Sequence, residues 1–154
     1  MAGQWLDRKV ADEWTKTALD TANNYNFIVE LPCSTHATTA TTDPPALIKI
    51  GSIGLFGEDS ELGYLIHPEY WGQGYATEMV SAFIKALWVG VPDVEKVRAC
   101  VDSENGGSLR VLEKCEFREV RRGEYENKTL GVREEVVFEI VRPLAAGVGG
   151  SAGA

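Results

Sequence analysis

A mixed α/β (α+β) fold, one twisted sheet with helices on its faces, is what this sequence predicts, and three observations carry it. Strand-like runs rich in β-branched and aromatic residues alternate with amphipathic helical segments in the order α-β-β-β-α-β-α-β-β. Within that order a strand, a long helix and a second strand make a βαβ unit, whose right-handed crossover sets the two strands parallel. The chain then closes on two strand runs around a polar loop, which reads as a hairpin.

Each element has its own justification. From Trp5 to about Thr21, Leu6, Val10, Trp14 and Ala18 recur every fourth residue and form one helical stripe. Tyr25 to Leu31 is a strand that ends at Pro32, and the Thr-, Ala- and Pro-rich run of residues 33–45 is a surface loop. Ala46 to Phe56 is a second strand in which Gly51 and Gly54 suggest a bulge or bend. Leu62 to His67 is a third, cut off by Pro68. After a Gly-rich turn, Ala76, Met79, Val80, Phe83, Ile84, Leu87 and Trp88 share one helical face, and Gly90 and Pro92 stop that helix. Val97, Ala99 and Val101 alternate with Lys96, Arg98 and Cys100 in a half-buried strand. A short helix spans about Gly107 to Lys114, and residues 117–122 and 135–141 form the closing hairpin. Residues 1–144 form one domain, and the apolar-poor tail 145–154 is expected to be disordered.

Composition narrows the function classes. A hydrophobic fraction of 44% with 25% charged residues is that of a globular chain able to bury a core. The net charge of −8 argues against nucleic acid as a partner. No run approaches the roughly 18 apolar residues of a membrane span, and no signal core opens the chain. A cytoplasmic location is expected, with the nucleus as the other compartment open to it. Cys33, Cys100 and Cys115 are odd in number and lack zinc-ligand spacing, so neither a disulfide framework nor a metal site is expected.

Chemistry concentrates in Tyr70-Trp71-Gly72-Gln73-Gly74-Tyr75-Ala76, between a strand and an apolar-faced helix. Glycines at 72 and 74 let the main chain approach a ligand, and the helix start presents unpaired N–H groups and a positive dipole end. An anion, most naturally a pyrophosphate, suits such a turn; a plain strand-to-helix turn fits the same residues. The run is neither a P-loop nor a full GxGxxG fingerprint. A second constellation follows about thirty residues on, N-x-x-S-x-RVLEK-x-x-F from Asn105 to Phe117.

Together these motifs resemble the GCN5-related N-acetyltransferase (GNAT) superfamily, in its RimJ/RimL-like branch, the ribosomal-protein-alanine acetyltransferase type. GYLIHPEYWGQGYATE is similar to that family's fourth strand and acetyl-CoA pyrophosphate loop, with Gly74 and Ala76 at its two small positions. VRACVDSENGGSLRVLEKCEF is similar to its fifth strand and following helix, and the likeness covers residues 25–142. The resemblance implies a mostly antiparallel sheet with a central, splayed parallel pair, strands 62–67 and 96–101, between which the pantetheine arm of acetyl-CoA inserts. It implies a pyrophosphate cradle of Trp71, Gly72, Gln73, Gly74, Tyr75, Ala76 and Thr77. It also implies an oxyanion donor at the amide of Leu65 or Ile66, and further cofactor contacts from Asn105, Ser108 and Lys114.

The implied reaction is direct acetyl transfer from acetyl-CoA to a primary amine, a protein N-terminus or a small molecule, with no metal. Leu112 stands where many members carry a thiolate-protonating Tyr, and Ser108 is the substitute donor, against an ordinary helix-capping role. Glu61 leads His67 as the base, and Glu69 lies on the cofactor loop. A catalytically degenerate acyl-CoA-binding module or an interaction module is the alternative. Two departures stand out. The chain starts almost on its first helix, without the family's leading strand, so Tyr25 to Leu31 would lie at a sheet edge that recruits a second copy into a homodimer. Glu116 replaces the Gly expected before Phe117, where a left-handed backbone is anticipated.

Overall fold

A computed structural model describes residues 25–33, 47–57 and 59–144. The helix read at residues 5–21, most of the 33–45 loop and the 145–154 tail lie outside the described residues. Strands β1 (Phe27–Pro32), β2 (Leu47–Phe56), β3 (Glu61–Ile66), β4 (Lys96–Asp102), β5 (Arg118–Asn127) and β6 (Gly131–Val141) form one sheet in the order β1-β2-β3-β4-β6-β5. Helix α1 (Tyr75–Gly90) joins β3 to β4, and α2 (Gly106–Lys114) joins β4 to β5. Every neighbouring pair is antiparallel except β3 and β4, as the βαβ crossover requires.

The closing hairpin is longer than its apolar residues suggest. Residues 123–127 and 131–134, read above as loop, continue the ladder, pairing Gly123 with Glu135 and Tyr125 with Arg133. Cross-strand charge and backbone pairing hold this polar stretch where no apolar periodicity marks it; Arg121 meets Glu135 at 2.9 Å. The turn is closed by the Asn127 side chain, which accepts from the N–H groups of Thr129 and Leu130 at 3.0 Å each. Between β1 and β2 the register shifts after Val29, leaving Ile50 as the extra residue beside Gly51.

Alternation along the strands sorts the two faces. Val97, Ala99 and Val101 of β4 and Val136 and Phe138 of β6 pack with Leu62, Leu55 and Ile53 beneath Met79, Val80, Phe83, Ile84 and Leu87 of α1 and Leu112 of α2. Both helices therefore cover one face, and each of these larger side chains contributes about 1.5–3 kcal/mol by leaving water. The other face carries Glu61, Arg98, Cys100, Asp102 and Glu135, the odd-even partners of the core residues. β1 and β5 are the sheet edges among the described residues. β5 is blunted by Arg118, Arg121, Arg122, Glu124 and Glu126, whereas Phe27 and Ile28 on β1 are 56% and 61% exposed.

Two helix ends show tertiary control. No basic residue sits in the last turn of α1, and Arg142, at the far end of β6, takes that place. Its guanidinium donates to the carbonyls of Trp88, Val91 and Val94 and lies 4.9 Å from the Trp88 ring centroid. α2 ends in a Schellman turn: Phe117 N–H bonds Leu112 O at 3.0 Å and Glu116 N–H bonds Glu113 O at 3.1 Å. Glu116 sits at φ 67, the left-handed backbone anticipated from the sequence. A side chain there is strained by about 1–2 kcal/mol, so Glu116→Gly should raise stability by about 1 kcal/mol, read as an increased urea midpoint at unchanged slope.

Candidate functional site

The site grows from the way β3 and β4 part company. They are bridged at one position, Glu61 with Arg98, where Arg98 N–H donates to Ser60 O at 3.2 Å. Beyond it β3 stays fully paired with β2, and β4 with β6, so each strand follows the twist of its own neighbour and a gap opens between them. The gap widens toward the C-terminal ends of both strands, where the chain turns into α1 and α2.

Hydrogen-bond direction decides which amides face the gap. His67 N–H donates to Ile50 O at 2.7 Å, and alternation along the antiparallel ladder then commits Leu65 to β2, opposite Ser52. Tyr64 and Ile66 point their N–H groups the other way, into the gap. Of the two oxyanion donors considered from sequence, Leu65 is thus corrected: its amide belongs to the β2–β3 ladder, and it is Ile66 that turns its N–H into the gap.

At the wide end the loop after β3 is built tightly. A 3-10 turn, Pro68–Tyr70, follows His67, whose Nδ1 accepts from Glu69 N–H at 3.4 Å and whose ring meets Tyr70 edge to face. His67 is half exposed and serves this turn. The Trp71 indole donates to Ile66 O at 2.7 Å, and Gln73 Nε2 donates to Glu69 O at 3.0 Å, lashing the loop to the end of β3. Gly72 and Gly74 take φ 73 and φ 88, and a Cβ on either would meet nothing within 4 Å. Gly74 is the N-cap of α1 with no side-chain cap, and the first intrahelical bond is Glu78 N–H to Gly74 O at 3.1 Å. The amides of Tyr75, Ala76 and Thr77 therefore have no partner within the helix.

α2 is finished differently. Asn105 caps it, accepting from Ser108 N–H at 3.1 Å, so the cap is made by Asn105 and the Ser108 hydroxyl is not spent on it. The Tyr64 phenol reaches across from β3 to donate to Ser108 O at 3.4 Å, and burial pushes its pKa up. Leu112 is completely buried in the core, so no proton donor occupies its position. Lys114 is exposed at the opposite end of α2, about 9 Å along the axis from Ser108. Behind this turn, Asp102 accepts from Arg133 Nε and Nη2 at 2.9 and 2.8 Å, from Tyr125 OH at 2.9 Å and from Glu104 N–H at 2.9 Å. The Arg133 guanidinium is the main cause of an Asp102 pKa of about 2. This saturated carboxylate fixes the β4 end from which Asn105 and Ser108 project, and spacing in the sequence gave no sign of it, because Arg133 is 31 residues away.

On the face away from α1 and α2, beside the bridged end of the gap, lie Glu61, Arg98 and Cys100. Burial, then the nearby Glu61 charge, pushes the Cys100 thiol up, which keeps it a poor nucleophile. Among the described residues no group of His, Cys, Asp and Glu is arranged to hold a metal, and no helix is long and apolar enough to cross a membrane.

Comparison with known proteins agrees with this geometry. Residues 1–118 match the family model described as Acetyltransferase (GNAT) domain. Over 102 residues, 61% of the chain, the sequence is 30% identical to an uncharacterized N-acetyltransferase, YoaA, of Bacillus subtilis, and the match spans 56% of that relative's length. A GNAT-family acetyltransferase from Bacillus anthracis superposes with a TM-score of 0.62 at 24% identity, over 90% of this chain and 76% of that one. A ribosomal-protein-S5-alanine acetyltransferase from Vibrio fischeri does so with 0.54 at 17% identity, over 60% and 54%. The spermidine/spermine N-acetyltransferase of Vibrio cholerae gives 0.60 at 19%, over 87% and 75%. With the splayed strands and the uncapped glycine loop in place, the family match identifies this chain as a member of the GNAT family of acetyltransferases.

Proposed function

We propose that the chain transfers an acetyl group from acetyl-CoA directly to a primary amine, and that it belongs with the RimJ/RimL-like branch. One observation carries the reading: of two helices that start at the wide end of the gap, α2 is capped by its own Asn105 while α1 leaves its first amides bare above two left-handed glycines. That difference supports α1 as the seat of an anion, and the gap beside it offers unpaired strand amides to an amide-bearing arm. The residues present therefore fit coenzyme A.

Acetyl-CoA, when bound, supplies an activated acetyl thioester. The amides of Tyr75, Ala76 and Thr77 take the pyrophosphate, and Tyr64 and Ile66 offer backbone groups along the gap. The Ile66 N–H serves as the donor for charge developing on the acyl oxygen. Ser108 donates to the departing sulfur, whereas Glu61, at the other end of β3 and about 16 Å from Ile66, is too far to take the amine's proton directly. The arrangement needs no nucleophilic side chain, which accords with the protonated state of Cys100. The buried Leu112 favours a second reading, a module that binds acyl-CoA without turnover.

Purified protein, acetyl-CoA and a panel of primary amines should release free thiol in step with acetylated product. Tight coenzyme A binding with no thiol release from any amine would select the second reading.

A further inference from the structure

Two hydroxyl-bearing residues meet beside the gap, and they come from opposite walls. Tyr64 stands two residues before Ile66 on β3, about 6.6 Å along the strand, and both side chains lie on the helix-covered face. Its ring runs from β3 to the first turn of α2, where the phenol donates to Ser108 O at 3.4 Å. That is long for an O–H···O bond, and Ser108 O already serves the α2 ladder as an acceptor. The carbonyl has no need of the phenol, whose hydrogen is held there only weakly and can turn to another oxygen of the same residue.

Ser108 alone is a poor source of the proton that a departing sulfur requires. An aliphatic alcohol is a much weaker acid than a thiol, so a proton passed from Ser108 to sulfur returns unless the serine oxygen is itself resupplied. A phenol, with an ordinary pKa of about 10 against about 8.5 for a thiol, is far better matched to the task. Burial pushes the Tyr64 pKa up, which keeps the phenol protonated at neutral pH. Leu112, one turn further along α2, is sealed in the core and supplies no proton. The nearby Cys115 thiol is turned toward α1, 3.4 Å from Ser81 Oγ and 3.5 Å from Thr77 O. Among the described residues Tyr64 is the one titratable side chain hydrogen-bonded to Ser108.

We infer that the Tyr64 phenol is the source of the proton that reaches the departing sulfur, handed on through the Ser108 hydroxyl. The inference rests on the acetyl-transfer reading and completes its acid side. As the amine nitrogen bonds the acetyl carbon, the C–S bond breaks and its electron pair stays on sulfur. The sulfur takes the Ser108 proton while Ser108 Oγ takes the proton of Tyr64. The acetylated amine releases one proton to water, and the phenolate left on Tyr64 regains one from water, so the cycle closes.

The test is a cycle of Tyr64→Phe, Ser108→Ala and the double variant, each measured for kcat with acetyl-CoA, coenzyme A affinity and melting temperature. Tyr64→Phe keeps the ring and removes only the hydroxyl. It should lower kcat at least tenfold, with affinity and melting temperature nearly unchanged. The double variant should be no slower than the slower single variant, because groups that pass one proton act as a unit. Losses that multiply in the double variant overturn the relay. Unchanged kcat in Tyr64→Phe does the same while leaving acetyl transfer standing. A fall in kcat that follows a fall in melting temperature or affinity assigns the phenol to packing and also rejects it. Absence of thiol release with every amine overturns acetyl transfer, and the relay with it.

Discussion

Gly74→Val is expected to weaken coenzyme A binding by well over tenfold, or more than about 1.4 kcal/mol. Two physical effects combine. Gly74 holds φ 88, a backbone that an L side chain adopts at a cost of about 1–2 kcal/mol. A Cβ there would meet no protein atom within 4 Å, so the valine methyl groups would project into the space above the α1 amides that an anion needs. Calorimetric titration of coenzyme A into the folded variant measures the loss. Gly131 supplies the control: it has φ 76, equally open surroundings and a place in the β5–β6 turn remote from the loop. Gly131→Val should share the backbone strain and keep coenzyme A affinity. Unchanged affinity in folded Gly74→Val would put the pyrophosphate somewhere other than the α1 start.

Ser108→Ala should lower kcat by about 10- to 100-fold, at or below the usual range for proton donation, with coenzyme A affinity nearly intact. The structure sharpens this expectation, because the helix cap is Asn105 and not Ser108. Removing the Ser108 hydroxyl should therefore leave the melting temperature nearly unchanged. Asn105→Ala should instead cost about 1 kcal/mol of stability by stripping the cap. Turnover and melting measured on both variants separate the roles. A Ser108→Ala protein that melts early yet turns over normally would return Ser108 to a structural part.

The two expectations differ in how far each could be read from the chain. The anion loop is local: two glycines, a small residue and an apolar-faced helix lie within a dozen positions, and backbone sterics make such a run behave alike wherever it occurs. The left-handed turn at Glu116 was legible for the same reason. The proton chemistry is not local. Which of Leu65 and Ile66 turns its amide to the gap depends on ladder phase, set by the bond from His67 to Ile50 across a different pair of strands.

By itself, then, the sequence determined the mixed sheet, the parallel pair around α1, the anion loop and the family likeness, because periodicity, glycine placement and crossover handedness act over short stretches of chain. Only the tertiary structure decided the length of the polar hairpin and the clamping of α1 by Arg142. The same holds for the Asp102–Arg133 buttress behind Ser108. Each of these joins residues far apart in sequence, and charged side chains carry no periodic mark of the partner they will meet. Their pairing follows from strand order and register, which exist only once the sheet has formed.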